Sequence, residues 1–298
     1  MLRTLSCLAL AALVAAPVAA QSAGTTGTII IAHGGDSTWN AGVREVAAQV
    51  QTGGPVEVSF LMGPGAVAAR FQDAVAKLDA KGVSRIVIVP LLVSSHSGHY
   101  EQIKYLSGQD VKLDHMMEHH LHMAGIERSP SRTPLVLTPA LDNAHEMARV
   151  LADRALALAR AQGDAPANRG LMIVGHGPNS AEDYAAWMAN LRPVADSVRA
   201  WTGFRDVRLE LVRDDAPEAV RAEGVTRTRE LIEMQRLITG RDALVVPVLV
   251  SKGSVSRDKL PRDIAGTPSV YTGEPLLPHT AMARWIERRV RESIALVN

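Results

Sequence analysis

Apolar residues in this chain gather in short unbroken runs, separated by stretches where they recur every three or four positions. The clearest run is Arg85-Ile86-Val87-Ile88-Val89-Pro90-Leu91-Leu92-Val93, with Gly82-Val83-Ser84 before it and Ser94-Ser95 after it. A β-branched run with no polar alternation reads as a strand covered on both faces, as in parallel sheets. Thr28–Ala32, Leu171–Gly175 and Ala243–Val250 have the same character. Between them, Val67–Lys81 puts Phe71, Val75 and Leu78 on one helical face, and Val225–Ile238 repeats the arrangement. Buried strands alternating with helices predict an α/β fold built on doubly wound parallel sheets.

The pattern occurs twice. Thr28-Ile29-Ile30-Ile31-Ala32-His33-Gly34 is echoed by Leu171-Met172-Ile173-Val174-Gly175-His176-Gly177, and Ile86–Ser94 by Ala243–Ser251, each with a Val-Pro step. A third echo pairs Leu135–Leu141 and His145 with Val270–Leu277 and His279. Three landmarks in one order imply an internal duplication. The expected organisation is one lobe over residues 21–160 and a second over 169–298, joined by the Ala/Gly/Asp/Pro stretch Ala161–Asn168. The interval from Pro90 to His145 exceeds its counterpart from Pro247 to His279, which places an insertion at about residues 109–130.

Residues 1–20 carry Arg3, an apolar stretch from Leu5 to Val14 and a small-residue boundary at Val18-Ala19-Ala20. They read as a cleavable secretory signal, too short for a membrane span, which places the mature protein in the periplasm or outside the cell with no membrane span. The single cysteine, Cys7, lies within that segment. The mature chain therefore has no disulfide, no thiolate metal site and no cysteine nucleophile, and any metal must be held by His, Asp, Glu, Met or backbone oxygen. The formal net charge of +1 is removed with Arg3, and nothing in the balance calls for a nucleic-acid partner.

The candidate chemistry lies at strand ends. His33 closes the first strand ahead of two glycines, and taken alone it fits a core histidine, the flank of an anion-binding helix terminus, or a ligand or base at the sheet edge. His96 and His99 follow the Val-Pro strand, which is expected beside the first, so imidazoles converge on one edge. Neutral imidazole suits Co, Ni, Fe, Cu or Zn, and two or three protein ligands leave positions open for a substrate. The second copy retains His176 but reads Lys252-Gly253-Ser254 after its Val-Pro strand, so His176 is expected to lack a partner. The charged stretch Arg213–Glu223 reads as a solvated loop and helix face. Trp187, Trp201 and Trp285 are expected in the core, and His145 and His279 as packing or capping residues.

Within the insertion, Asp114-His115-Met116-Met117-Glu118-His119-His120-Leu121-His122-Met123 holds four histidines in eight residues. As a helix it sets His115, His119 and His122 at i, i+4 and i+7 on one face, a metal-ligand spacing. Its methionines read as packing residues that could also serve as soft ligands.

His-Gly after the first strand, the Val-Pro strand followed by Gly98-His99, and the Ala/Arg-rich final helix resemble the class II tetrapyrrole chelatases, and most closely the sirohydrochlorin cobaltochelatase group. The resemblance spans nearly the whole mature chain as two fused copies. It implies ATP-independent insertion of a divalent metal, Co²⁺ first with Ni²⁺ and Fe²⁺ as alternatives, into a tetrapyrrole such as sirohydrochlorin, with no organic cofactor. The family's histidine pair carries over to His33 and to His99, with His96 as the rival because the family spacing, Gly-x-His, falls between the two. The family's Glu-Asp pair after that histidine is Glu101-Gln102 here. Two other functions stay open: a non-catalytic metal-binding or delivery protein, and a tetrapyrrole-binding protein, each on the chelatase scaffold.

Overall fold

The computed structural model describes residues 24–295, so the expected signal over residues 1–20 lies outside it. In chain order the first lobe runs β1 (Thr26–Ala32), α1 (Ser37–Ala47), β2 (Val56–Phe60), α2 (Phe71–Ala80), β3 (Arg85–Leu91), α3 (Gly98–Leu106), α4 (His115–Met123), β4 (Leu135–Leu137) and α5 (His145–Ala161). The second runs β5 (Gly170–Gly175), α6 (Ala181–Thr202), β6 (Asp206–Leu211), α7 (Glu218–Thr239), β7 (Ala243–Val248), α8 (Leu260–Asp263), β8 (Ser269–Tyr271) and α9 (Thr280–Ala295). Two four-stranded parallel sheets result, ordered β2-β1-β3-β4 and β6-β5-β7-β8, and they correspond strand for strand as a duplication requires.

In each sheet the chain steps from the first strand to one side and then crosses to the other, which makes the gap between β1 and β3 a topological switch point. Ile29 pairs with Ile88 and Ala32 with Leu91, so both strands end level. Ile29, Ile30, Ile31, Ile86, Val87, Ile88 and Val89 are wholly buried, which explains the absence of polar alternation. At the same sheet edge the helices are started by side-chain caps: Asp36 accepts from the Trp39 N–H, Ser97 from Tyr100 and Asp114 from Met117.

The lobes exchange their final helices. α5 packs against β7, α9 packs against β3, and the two helices pack on each other. One continuous apolar core therefore runs through both lobes, from Ile29 and Ile88 to Leu244 and Trp285. Within it Arg288 of α9 donates twice to the buried Glu146 of α5, at 2.8 Å to each carboxylate oxygen. Among the described residues no helix is long and apolar enough to cross a membrane.

Four expectations need correction. The helix expected from Val67 begins at Phe71; residues 64–69 form turns, and Val67 is 62% exposed because the buried face starts with Phe71 and Ala74. Trp201 is 44% exposed on α6, where the Arg149 guanidinium lies over its ring, whereas Trp187 and Trp285 are buried. Met116 and Met123 are exposed, and only Met117 packs inward. The stretch after β6 is not merely solvated, because Arg213 and Asp214 are buried and α7 starts at Glu218, seven residues before Val225.

Candidate metal and tetrapyrrole site

His33 and His99 come together as the strand register requires. Their rings meet edge to face with centroids 4.5 Å apart. The His-Gly step explains how His33 is held. Gly34 has φ +89°, and a Cβ there would lie 2.1 Å from the Met62 carbonyl oxygen, so only glycine fits. In that turn the Gly34 carbonyl lies 2.6 Å from the Nδ1 of His33. A carbonyl can only accept, so Nδ1 carries the proton and Nε2 keeps its lone pair. Gly177, with φ +81°, places its carbonyl 2.7 Å from His176 Nδ1 in the same way. The His-Gly step thus supplies, in both lobes, an acceptor that keeps a proton on Nδ1.

His99 is fixed by a different residue with the same result. The Gln102 amide donates from Nε2 to the Met117 carbonyl at 2.8 Å, which turns its Oε1 toward His99 Nδ1, also at 2.8 Å. Nδ1 must therefore donate, and Nε2 is again the free lone pair. Gln102 is wholly buried. Burial lowers both imidazoles from their ordinary value of 6.5, His33 to about 4 with the neighbouring His99 adding to the shift, and His99 with His120 adding to it against the pull of Gln102. At neutral pH both rings are neutral, the state that coordinates a metal.

His96, the rival, is exposed, and its backbone carbonyl accepts a 2.6 Å hydrogen bond from the Trp187 indole across the lobe boundary. His115, His119 and His122 share the exposed face of α4. The histidine of that helix that comes to the site is His120, whose ring lies 6.1 Å from that of His99 at 22° to its plane. A signal for it was present in the sequence, since His120 follows Met117 by three residues and precedes Leu121, the apolar side of the helix.

His176 does not stand alone. Its Nε2 lies 2.9 Å from Asp215 Oδ2 while Nδ1 faces the Gly177 carbonyl. With an acceptor at each nitrogen the ring is favoured as an imidazolium. Burial opposes that charge, but the Asp215 hydrogen bond and charge outweigh it and raise the pKa, while His176 in turn holds the Asp215 carboxyl down to about 2. Both groups lie near enough to His33 and His99 to act on their protonation. Among the described residues, the one set of three His, Asp or Glu with ligand atoms within 4.8 Å of each other is His176, Asp214 and Asp215. That set is already neutralised: Lys259 and Arg221 both contact Asp214, and Arg221 continues to Asp263 at 2.7 Å. The two lobes have thus diverged into a neutral, lone-pair-bearing half and a charge-paired half. Trp39 adds an aromatic wall 6.2 Å from His33.

Residues 27–158 match the CbiX family model. No curated protein matches the chain. Among solved structures it is similar to SirB from Bacillus subtilis with Fe³⁺, at 17% identity and a TM-score of 0.61 over 92% of this chain and 97% of that one. It is likewise similar to the sirohydrochlorin chelatase SirB from Bacillus subtilis subspecies spizizenii in complex with cobalt, at 16% identity and a TM-score of 0.59 over 91% and 96%. A third is CbiX, the terminal enzyme for biosynthesis of siroheme in denitrifying bacteria, at 15% identity and a TM-score of 0.55 over 90% and 99%. At these identities the likeness is one of fold, and it extends over both lobes.

Proposed function

We propose that this chain, whose residues 27–158 match the CbiX family model, inserts a divalent metal into a tetrapyrrole such as sirohydrochlorin, without ATP or an organic cofactor. The observation that carries this reading is the pair of neutral imidazoles at 4.5 Å, each with Nδ1 tied down and Nε2 free, at the switch point of the first sheet. Insertion requires stripping water from the ion, presenting it with open positions, and taking away two pyrrole N–H protons as the metal–nitrogen bonds form. His33 and His99 suit the first two tasks: low proton affinity leaves their lone pairs available, and two ligands leave most of the shell open. Imidazole donors suit Co²⁺, Ni²⁺ and Fe²⁺ alike, and Co²⁺ is put first on the resemblance to the cobaltochelatase group. His115, His119 and His122 form an outer collecting face for the same ion. The expected leader over residues 1–20 supports a periplasmic or extracellular setting for the reaction.

Gln102, where the family carries an acid, supports a second reading, a metal-delivery protein that binds the ion at His33 and His99 without inserting it. Anaerobic incubation with sirohydrochlorin and each metal, followed by absorbance, separates the two. Acceleration over the spontaneous rate supports insertion, and metal binding without acceleration supports delivery.

A further inference from the structure

We propose that His120 is a third imidazole ligand for the metal ion, brought by α4 to the one held by His33 and His99. The proposal rests on the reading of that pair as the metal site. α4 presents two kinds of histidine. Successive residues turn by about 100° around a helix, and with Leu121 buried and Met117 packed inward, His115, His119 and His122 project into solvent. His120 lies on the flank between the two faces, half-buried, with its ring nearly parallel to that of His99.

Two further observations single it out. Among the described residues the Nδ1 of His120 is buried without a hydrogen-bond partner, so this ring nitrogen is left available to a water or an ion. α4 is also fastened to the residue that orients His99, since Gln102 bonds to His99 with one end of its amide and to the Met117 carbonyl with the other. Gly98 allows the close approach, because a Cβ there would lie 2.8 Å from Met117 Sδ. His33, His99 and His120 do not yet bring one nitrogen each within 4.8 Å of one another. Joint ligation therefore requires His120 or α4 to move inward, and the helix has α3 as its packing partner. Three imidazoles would still leave positions for incoming pyrrole nitrogens.

The test is Co²⁺ titration of the full chain without tetrapyrrole, in a background where H115A, H119A and H122A have removed the exposed imidazoles. Visible absorption reports affinity, and X-ray absorption counts imidazoles. His120→Ala is expected to weaken binding by at least the roughly tenfold that loss of even an outer-shell partner costs, and to lower the count from three to two. His120→Gln, which is similar in size and no worse a helix former, is expected to do the same with unchanged circular dichroism. Unchanged affinity and count in the Gln variant overturn the proposal. If His33→Ala and His99→Ala weaken binding but the His120 variants do not, only His120 is misassigned. If none of them weakens it, the reading of the pair fails as well.

Discussion

The rings of His33 and His99 meet edge to face with centroids 4.5 Å apart, although 66 positions separate them in sequence. Strand register creates the relationship: β1 and β3 are parallel neighbours ending level at Ala32 and Leu91, and each imidazole follows its strand onto the same edge.

Gln102 sets the protonation of His99. Replacing it with Glu puts a carboxylate against Nδ1, which favours the imidazolium and raises the His99 pKa. Because protons compete with metal for imidazole, Co²⁺ binding by Gln102→Glu should fail at a higher pH than in the parent. Metal titrations across pH 5 to 8 check this, and coincident profiles contradict it.

His33 should make the protein acid-sensitive. Its folded pKa of about 4 lies below the ordinary 6.5, so the unfolded chain binds the extra proton between those values. The stability contributed by the neutral ring is present above pH 6.5 and is lost as pH falls toward 4. His33→Gln should therefore flatten the fall in Tm over that window, measured at matched ionic strength. A slope as steep as the parent's places the acid sensitivity elsewhere.

His176 should titrate in the opposite sense. With its pKa raised, its contribution holds below pH 6.5 and is lost as pH rises through the folded value; that of Asp215 holds above about 4 and is lost as pH falls toward 2. Asp215 is well exposed, so the effect of the pair on Tm is expected to be small. The sharper readout is imidazole NMR, in which Asp215→Asn is expected to lower the His176 pKa. No change would mean that the 2.9 Å contact does not hold the charge.

Glu146 joins the lobes. Its carboxylate is buried and takes two hydrogen bonds from Arg288 of the exchanged helix, so Glu146→Ala leaves that partly buried guanidinium with Glu292 as its remaining carboxylate. Breaking one side of a fully buried pair costs about 3–5 kcal/mol, and the retained Glu292 contact puts the expected loss at or below the lower end of that range. Denaturant unfolding should show that loss in one cooperative transition. A loss below about 1 kcal/mol would show the pair to be dispensable.

The fold was legible because the parallel strands are buried on both faces, and burial writes itself into sequence as unbroken Ile/Val/Leu runs that here occur twice in one order. His33 and His99 could be placed because the topology carries strand ends to a common edge. What could not be read depends on contacts between distant segments. Asp215 sits in a charged stretch whose composition suggests solvent, and its partnership with His176 exists only because β5 and β6 end side by side. His120 was overshadowed by three neighbours with better helical spacing, since spacing reveals a shared face but not which face meets the rest of the protein. The contact that holds the His96 backbone comes from Trp187, 91 residues away, and no local pattern announces it.

The most direct test of the central claim is the rate of metal insertion into sirohydrochlorin measured side by side for the parent, His33→Ala, His99→Ala and His96→Ala under anaerobic conditions. We predict that the parent exceeds the spontaneous rate, that His33→Ala and His99→Ala each fall by at least tenfold, and that His96→Ala stays within about twofold of the parent, since a lost metal ligand costs more than 1.4 kcal/mol and an exposed side chain far less. A parent no faster than the spontaneous reaction, or a pair of His33 and His99 variants as fast as the parent, would contradict the account.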